Sequence, residues 1–207
     1  MINPYSPSLI TFFETITDFK HSSNRINSVL LKDVERYTTE GARYFSGTSL
    51  IIGDWTGPTT DKGWKLPFHT GIKKAVFKEN YTLEIENLLS REFSLSFAQC
   101  YEAFETLLKD FIWIKIKNDD QFRNSLSEDY SRKSLNGGDR LFNLVKKAGA
   151  NRFQTYSNRN NNTFRFKETF DVLSEARHAI THSQGKLKTS KILKSKYHKD
   201  LYEHFFY

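Results

Sequence analysis

Phe93-Ser94-Leu95-Ser96-Phe97-Ala98-Gln99-Cys100-Tyr101-Glu102-Ala103-Phe104-Glu105-Thr106-Leu107-Leu108-Lys109-Asp110-Phe111-Ile112-Trp113-Ile114 is the stretch whose reading decides the fold. Phe93, Phe97, Cys100, Phe104, Leu107, Phe111 and Ile114 recur in alternating steps of four and three, which lays one apolar line along an α-helix. The pattern runs from about Leu83 to Lys117, about 35–50 Å of helix at 1.5 Å per residue. It predicts a spine packed along its length in a helical bundle. Cys100 sits on this line and reads as a small core residue, not a reactive thiol.

Working outward toward the C-terminus, Asn118-Asp119-Asp120 breaks the spine, and Phe122, Leu126 and Tyr130 suggest a weak helix. Asn136-Gly137-Gly138 is a turn, and Asp139 caps a short helix from Arg140 to Ala148 that Gly149 stops. Residues 151–163 hold five asparagines and few apolar groups, which predicts an exposed loop. Another amphipathic helix follows, with Phe166, Phe170, Leu173, Ala176 and Ile180 on one face and Gly185 as its stop. Beyond it, Lys186, Lys188, Lys191, Lys194, Lys196 and Lys199 precede the first acid, Asp200. Leu193, Tyr197, Leu201 and Phe205 give this segment, 186–207, the stripe of a basic C-terminal helix.

Toward the N-terminus, two helical patterns carry Leu9, Phe12, Phe13, Ile16 and Phe19, then Ile26, Val29, Leu30, Val34 and Tyr37. They predict a helical hairpin over 8–40, joined through His21-Ser22-Ser23. Six of the ten glycines then fall between Gly41 and Gly71, so residues 41–79 read as an irregular Gly-rich insertion. The run Ser49-Leu50-Ile51-Ile52 leaves room for one short hairpin there, with Trp55, Trp64 and Phe68 holding it down. The expectation is a single, mainly α domain over 1–207, whose helical core is 83–184.

Composition narrows the function classes. Eighteen phenylalanines in 207 residues argue for a core built of large rings and against disorder. The net charge of +7 favours a polyanionic partner such as RNA, though many basic proteins are merely soluble. A single cysteine excludes an intrachain disulfide and multi-cysteine zinc frameworks. The first residues lack a basic leader, and Glu14 and Asp18 interrupt the early apolar run. The expectation is therefore no signal peptide, no membrane span and a cytoplasmic location.

The chemistry concentrates in Glu175-Ala176-Arg177-His178-Ala179-Ile180-Thr181-His182-Ser183-Gln184-Gly185. Arginine forks onto phosphate oxygens, and histidine exchanges protons near neutral pH. On a helical wheel Arg177 flanks the apolar face, where its charge needs a partner or a groove. The bland alternative is that these cations complement a helix C-terminus and are solvated. His178 and His182, four apart, suggest a metal site with Glu175, but Arg177 would repel a cation and no further ligand is identifiable. Neither a Gly-rich phosphate loop nor a nucleophile elbow occurs.

The string Arg177-His178-Ala179-Ile180-Thr181-His182, on the last helix of a predicted bundle, resembles the motif of the HEPN superfamily: an arginine, a polar residue, a short spacer and a histidine. Residues Phe97 to Asp110 are similar to that family's long helix, so the resemblance covers roughly 83–184. It implies metal-independent RNA cleavage without a cofactor, in which the 2′-hydroxyl attacks the adjacent phosphorus and leaves a cyclic phosphate. By the same resemblance His182 would be general base or acid, Arg177 would stabilise phosphate charge, and His178 would orient the site or hold phosphate. Glu105 or Glu102 would pair with Arg177. The lysine run is either an ordinary solvated helix face or, beside the motif, a track for RNA phosphates through Lys186, Lys188 and Lys191. The resemblance further implies a homodimer lining one cleft, in a toxin or phage-defence setting. It equally admits a non-catalytic module that binds nucleotides or a partner such as a nucleotidyltransferase-type antitoxin. Arg177 and His182, five apart, lie about 140° apart on an ideal helix. The arginine stem, fraying before Gly185, or a partner subunit would have to close that gap.

Overall fold

The computed structural model describes residues 3–53, 62–63, 67–158, 165–183 and 185–206, in two compact units. One comprises Met1–Ser23 and Phe93–Tyr207, the other Asn24–Glu92. Among the described residues the fold is mainly α, with one two-stranded sheet. Trp55, Trp64 and residues 159–164 lie outside the described residues, as does the side chain of Lys191.

Helix α1 spans Ser6–Thr38 without interruption, so the expected hairpin over 8–40 is one 33-residue helix. Serine and histidine cost a helix only about half a kcal/mol each relative to alanine, too little to enforce a turn without Gly or Pro. Ser23, read as part of that turn, is buried, and its hydroxyl shares a 2.9 Å hydrogen bond with that of Ser96. The small hydroxyl residue marks a close helix contact, a signal that sequence alone confuses with a turn.

In the larger unit, α2 (Tyr81–Asn118) supplies the spine from Phe93 onward. The phenylalanine seam meets the N-terminal segment: Phe104 lies 6.3 Å from Phe12 and Phe111 5.1 Å from Tyr5, ring centre to ring centre. A second line, Ala98, Tyr101, Glu105, Ile112 and Ile116, is more deeply buried than the seam. Ile112 and Ile116 enter a core with Phe122, Leu135, Leu141 and Leu144, while Tyr101 and Phe104 meet Phe170. Two buried lines make this half of α2 a central helix. The short α3 (Asp120–Asn124) starts at Asp119, whose carboxylate accepts from the Phe122 N–H at 2.8 Å.

Helix α4 (Asp139–Asn158) continues past the expected stop. Ala150, at φ 42° and ψ −126°, kinks it, and residues 151–158 are helical instead of an exposed loop. Packing explains the difference: the Phe153 ring stands 5.7 Å from Phe142 and 5.6 Å from Phe166, and Tyr156 stands 6.1 Å from Phe166. Ala150 holds a conformation natural to glycine, a strain of about 1 kcal/mol or more. Ala150→Gly is therefore expected to raise the thermal midpoint by about 2–4 °C, read by calorimetry.

Helix α5 (Phe166–His182) buries Phe170, Val172, Ala176 and Ala179 and ends at Gly185, whose φ of 77° suits its N–H to bond the Ala179 carbonyl at 2.9 Å. The basic C-terminal segment is two helices, α6 (Thr189–Ile192) and α7 (Lys196–Phe206), not one. Leu193 and Phe205 of the expected stripe are exposed. Leu201 of that stripe is buried, and with Tyr202 it packs against Val172 and Leu187. The Ser195 hydroxyl accepts from the His198 N–H at the start of α7.

In the smaller unit the short hairpin allowed within 41–79 is a longer two-stranded ribbon. Strands β1 (Phe45–Gly53) and β2 (Pro67–Phe77) pair antiparallel from Phe45↔Phe77 to Gly53↔Pro67. Between Ser49↔Lys73 and Ile51↔His69, Leu50 alone opposes Thr70, Gly71 and Ile72, and Gly71 takes φ 76° at this bulge. Rings of Tyr37, Tyr44 and Tyr81 cluster at the ribbon's base, with centres 4.2–5.4 Å apart. Glycine spacing signalled loops because the strands are almost wholly exposed and lack the alternation of a half-buried strand. No helix among the described residues is long and apolar enough to cross a membrane.

Candidate functional site

Arg177 projects from α5 toward α2 and meets two carboxylates one helical turn apart. Its Nη2 donates to Glu105 Oε2 at 3.2 Å. Its Nε lies 3.1 Å from Glu102 Oε1, an ion pair without hydrogen-bond alignment. The guanidinium carbon is 5.7 Å from the centre of the Tyr101 ring, so a cation–π contact adds to the pairing. Burial pushes the Tyr101 phenol up to about 12, which keeps it neutral beneath the arginine.

Glu105 is 3% exposed, and an isolated carboxylate there would be costly. It is satisfied from two directions: Arg177 on Oε2, and the Gly138 N–H on Oε1 at 3.0 Å. The loop before α4 approaches so closely that a Cβ on Gly137 would fall 2.4 Å from Glu105 Oε1. Gly138, at φ 68°, turns the chain so that its N–H points at the carboxylate. The Gly137-Gly138 pair, legible from sequence only as a turn, is thus a clamp on the residue that orients Arg177.

These groups line an open cleft of about 600 Å³. Alpha5 contributes Arg177 and His178 to it, α2 contributes Glu102, Glu105 and Lys109, and the segment after α5 contributes Lys186 and Lys188. Four cations (Lys109, Arg177, Lys186, Lys188) face three carboxylates (Glu102, Glu105, Glu175), so the cleft is nearly balanced in charge. It suits one phosphate gripped by an arginine better than a long polyanion.

His182 is not among the residues lining the cleft. Helix α5 stays regular to His182, so fraying does not close the angle separating it from Arg177. His182 is exposed and stands beside His178, ring centres 4.9 Å apart. The structure therefore brings Arg177, His178, Glu105, Glu102, Lys186 and Lys188 together, and joins His182 to them only through His178. Among the described residues, no group of three or more His, Cys, Asp or Glu side chains is arranged to hold a metal ion. Lys109, four residues after Glu105, is the cleft cation that the sequence reading missed; the i, i+4 spacing was its available signal.

A second polar cluster adjoins the cleft. His198 is buried, with Nδ1 2.7 Å from Ser195 Oγ and Nε2 3.6 Å from Asp171 Oδ2. The serine is on the nitrogen that faces the carboxylate in a hydrolase triad, and it already caps α7, so the cluster reads as a structural tie between α5 and α7. Cys100 is half-buried and burial pushes its thiol up, in keeping with a core role. Comparisons of the chain with models of protein families, with curated proteins and with solved structures found no match.

Proposed function

We propose that this protein is a metal-independent endoribonuclease of the HEPN type, acting at the Arg177 cleft. One observation carries the reading: a partly exposed arginine, oriented by a clamped buried glutamate, opens on a cleft with His178, and the His182 ring stands against His178. The guanidinium would bind the non-bridging oxygens of the scissile phosphate and stabilise the charge that builds there. The histidine pair would take the proton from the 2′-hydroxyl and return one to the leaving 5′-oxygen. The 2′-O–P bond forms, the P–O5′ bond breaks, and the product ends are a 2′,3′-cyclic phosphate and a 5′-hydroxyl. Lys186 and Lys188 would hold flanking phosphates. The test is incubation with a broad panel of single-stranded RNAs in excess chelator, with end-group analysis. Cyclic phosphate ends are expected; intact RNA at high protein concentration overturns the reading.

A second copy of the chain is part of this proposal, because a partner's histidine would close the angle that separates Arg177 from His182. Light scattering at micromolar concentration is expected to give a dimer mass, and a strict monomer would remove the two-copy site. A role as a toxin or in phage defence belongs to the same reading.

A specific observation favours a second reading, a non-catalytic module that binds nucleotides or a partner such as an antitoxin. Arg177 already spends Nε and Nη2 on carboxylates, and His182 stands off the cleft. Tight binding of a nucleotide in titration calorimetry, with RNA left intact, would decide for it.

A further inference from the structure

The kink of α4 opens a groove of about 900 Å³, larger than the Arg177 cleft and more positive in its lining. Lys146, Lys147, Arg165 and Lys167 line it against one carboxylate, Glu168. Lys146 and Lys147 come from before the kink and Phe153 and Gln154 from after it, with the strained Ala150 at the apex; the start of α5 forms the far wall. Strain persists where surrounding structure enforces it, and such places often serve function.

The four cations are not alike. Lys167 is held by Asp139 and Asp171. Arg165 is stacked on Tyr197, its guanidinium carbon 3.6 Å from the ring centre, and donates to that phenol at 2.7 Å. These two are fixed parts of the wall. Lys146 and Lys147 are exposed; Lys147 donates to the Ser125 carbonyl and keeps further protons for a ligand. Phe153 and Phe166 line the groove between the charges, and Tyr156, 62% exposed, stands outside that lining at its rim, edge-on against Phe166. Cations that track phosphates beside rings that stack bases are the chemistry of single-stranded nucleic-acid binding.

We infer that the groove at the α4 kink is a docking site for single-stranded RNA, with phosphates on Lys146 and Lys147 and a base on Tyr156. This rests on the reading of the protein as RNA-directed. It adds to the nearly charge-balanced Arg177 cleft a more positive surface, which holds substrate beyond the phosphates at Lys186 and Lys188.

The test uses the full chain and a fluorescent 2′-O-methyl oligouridine of about 15 nucleotides, which lacks the nucleophilic hydroxyl and reports binding alone. Anisotropy between about 50 and 200 mM salt is expected to show Lys146→Ala/Lys147→Ala weakened on the order of tenfold, with the slope of log affinity against log salt reduced by about 1.4. Tyr156→Ala is expected to weaken binding about fivefold or more with the slope unchanged. Lys20→Ala/Lys32→Ala, equal in charge on the exposed side of α1, is expected to bind as wild type. Thermal unfolding checks that loss of the Lys147–Ser125 bond leaves the fold intact, and Lys146→Ala alone carries the electrostatic arm if it does not. An unbound oligonucleotide, an unchanged slope in the lysine variant, or an equal loss in the α1 control overturns the inference. Loss with the lysines but not with Tyr156 also overturns it, by assigning the groove to acidic partners such as peptides. Unmodified RNA cut by a protein whose affinity ignores Lys146 and Lys147 removes the groove and spares the nuclease reading. Oligonucleotide held by these lysines in a protein that cuts nothing does the reverse.

Discussion

Arg177→Ala and His182→Ala are each expected to lower RNA cleavage in chelator by about 10²–10⁴-fold, the largest effects the site offers. The histidine figure is the usual worth of a positioned general acid or base. The arginine figure reflects stabilisation of charge in the transition state, and part of it will appear as weaker binding. Arg177→Lys is expected to recover little. A lysine gives one point charge, whereas the arginine spans Glu102 and Glu105 through two nitrogens. His178→Ala should cost less than His182→Ala if it orients the phosphate, and as much if the pair acts as one unit. Single-turnover rates separate these outcomes from binding. Activity that survives both Arg177→Ala and His182→Ala would place the chemistry elsewhere.

The second large effect is on stability and concerns Glu105. Removing one member of a buried ion pair leaves the other uncompensated, typically at about 3–5 kcal/mol. Arg177→Ala strands the carboxylate of Glu105, which is 3% exposed, and should approach that range. Glu105→Ala should fall toward its lower end, because the Arg177 side chain keeps 21% of its surface exposed and retains Glu102. Glu105→Ala also leaves the Gly138 N–H without its acceptor, whereas Glu105→Gln can keep that bond. Urea denaturation reads all three. The double variant Glu105→Leu/Arg177→Met removes both charges and is expected to recover most of the stability while remaining inactive. That result separates the arginine's structural role from its chemical one; a double variant as unstable as Arg177→Ala would refute the pairing energetics.

Much of the helical architecture was legible because its cause is local. The four-three seam of α2 and the Gly185 stop each follow from side chains within a turn or two of one another. Ser23 shows where such reading fails. Its hydroxyl signals a turn by propensity, yet tertiary contact with Ser96 makes it the floor of a helix crossing. Residues 151–158 failed likewise, since Phe142 on the far side of the strained Ala150 and Phe166 of the next helix hold them helical.

At the site, sequence alone determined which groups are present: Arg177, His178 and His182 on one helix, a carboxylate pair on another, and a lysine-bearing tail. The five-residue spacing also determined that Arg177 and His182 diverge, since helical geometry depends on nothing remote. Only the tertiary structure decided that Glu105 is the buried anchor and Glu102 the exposed partner, because burial depends on what α4 and α5 place over α2. It alone decided that Gly137-Gly138 clamps that anchor and that a positive groove lies at the α4 kink. The clamp depends on backbone approach between residues 33 apart and the groove on a kink held by packing against the start of α5, and no pattern within one segment encodes either.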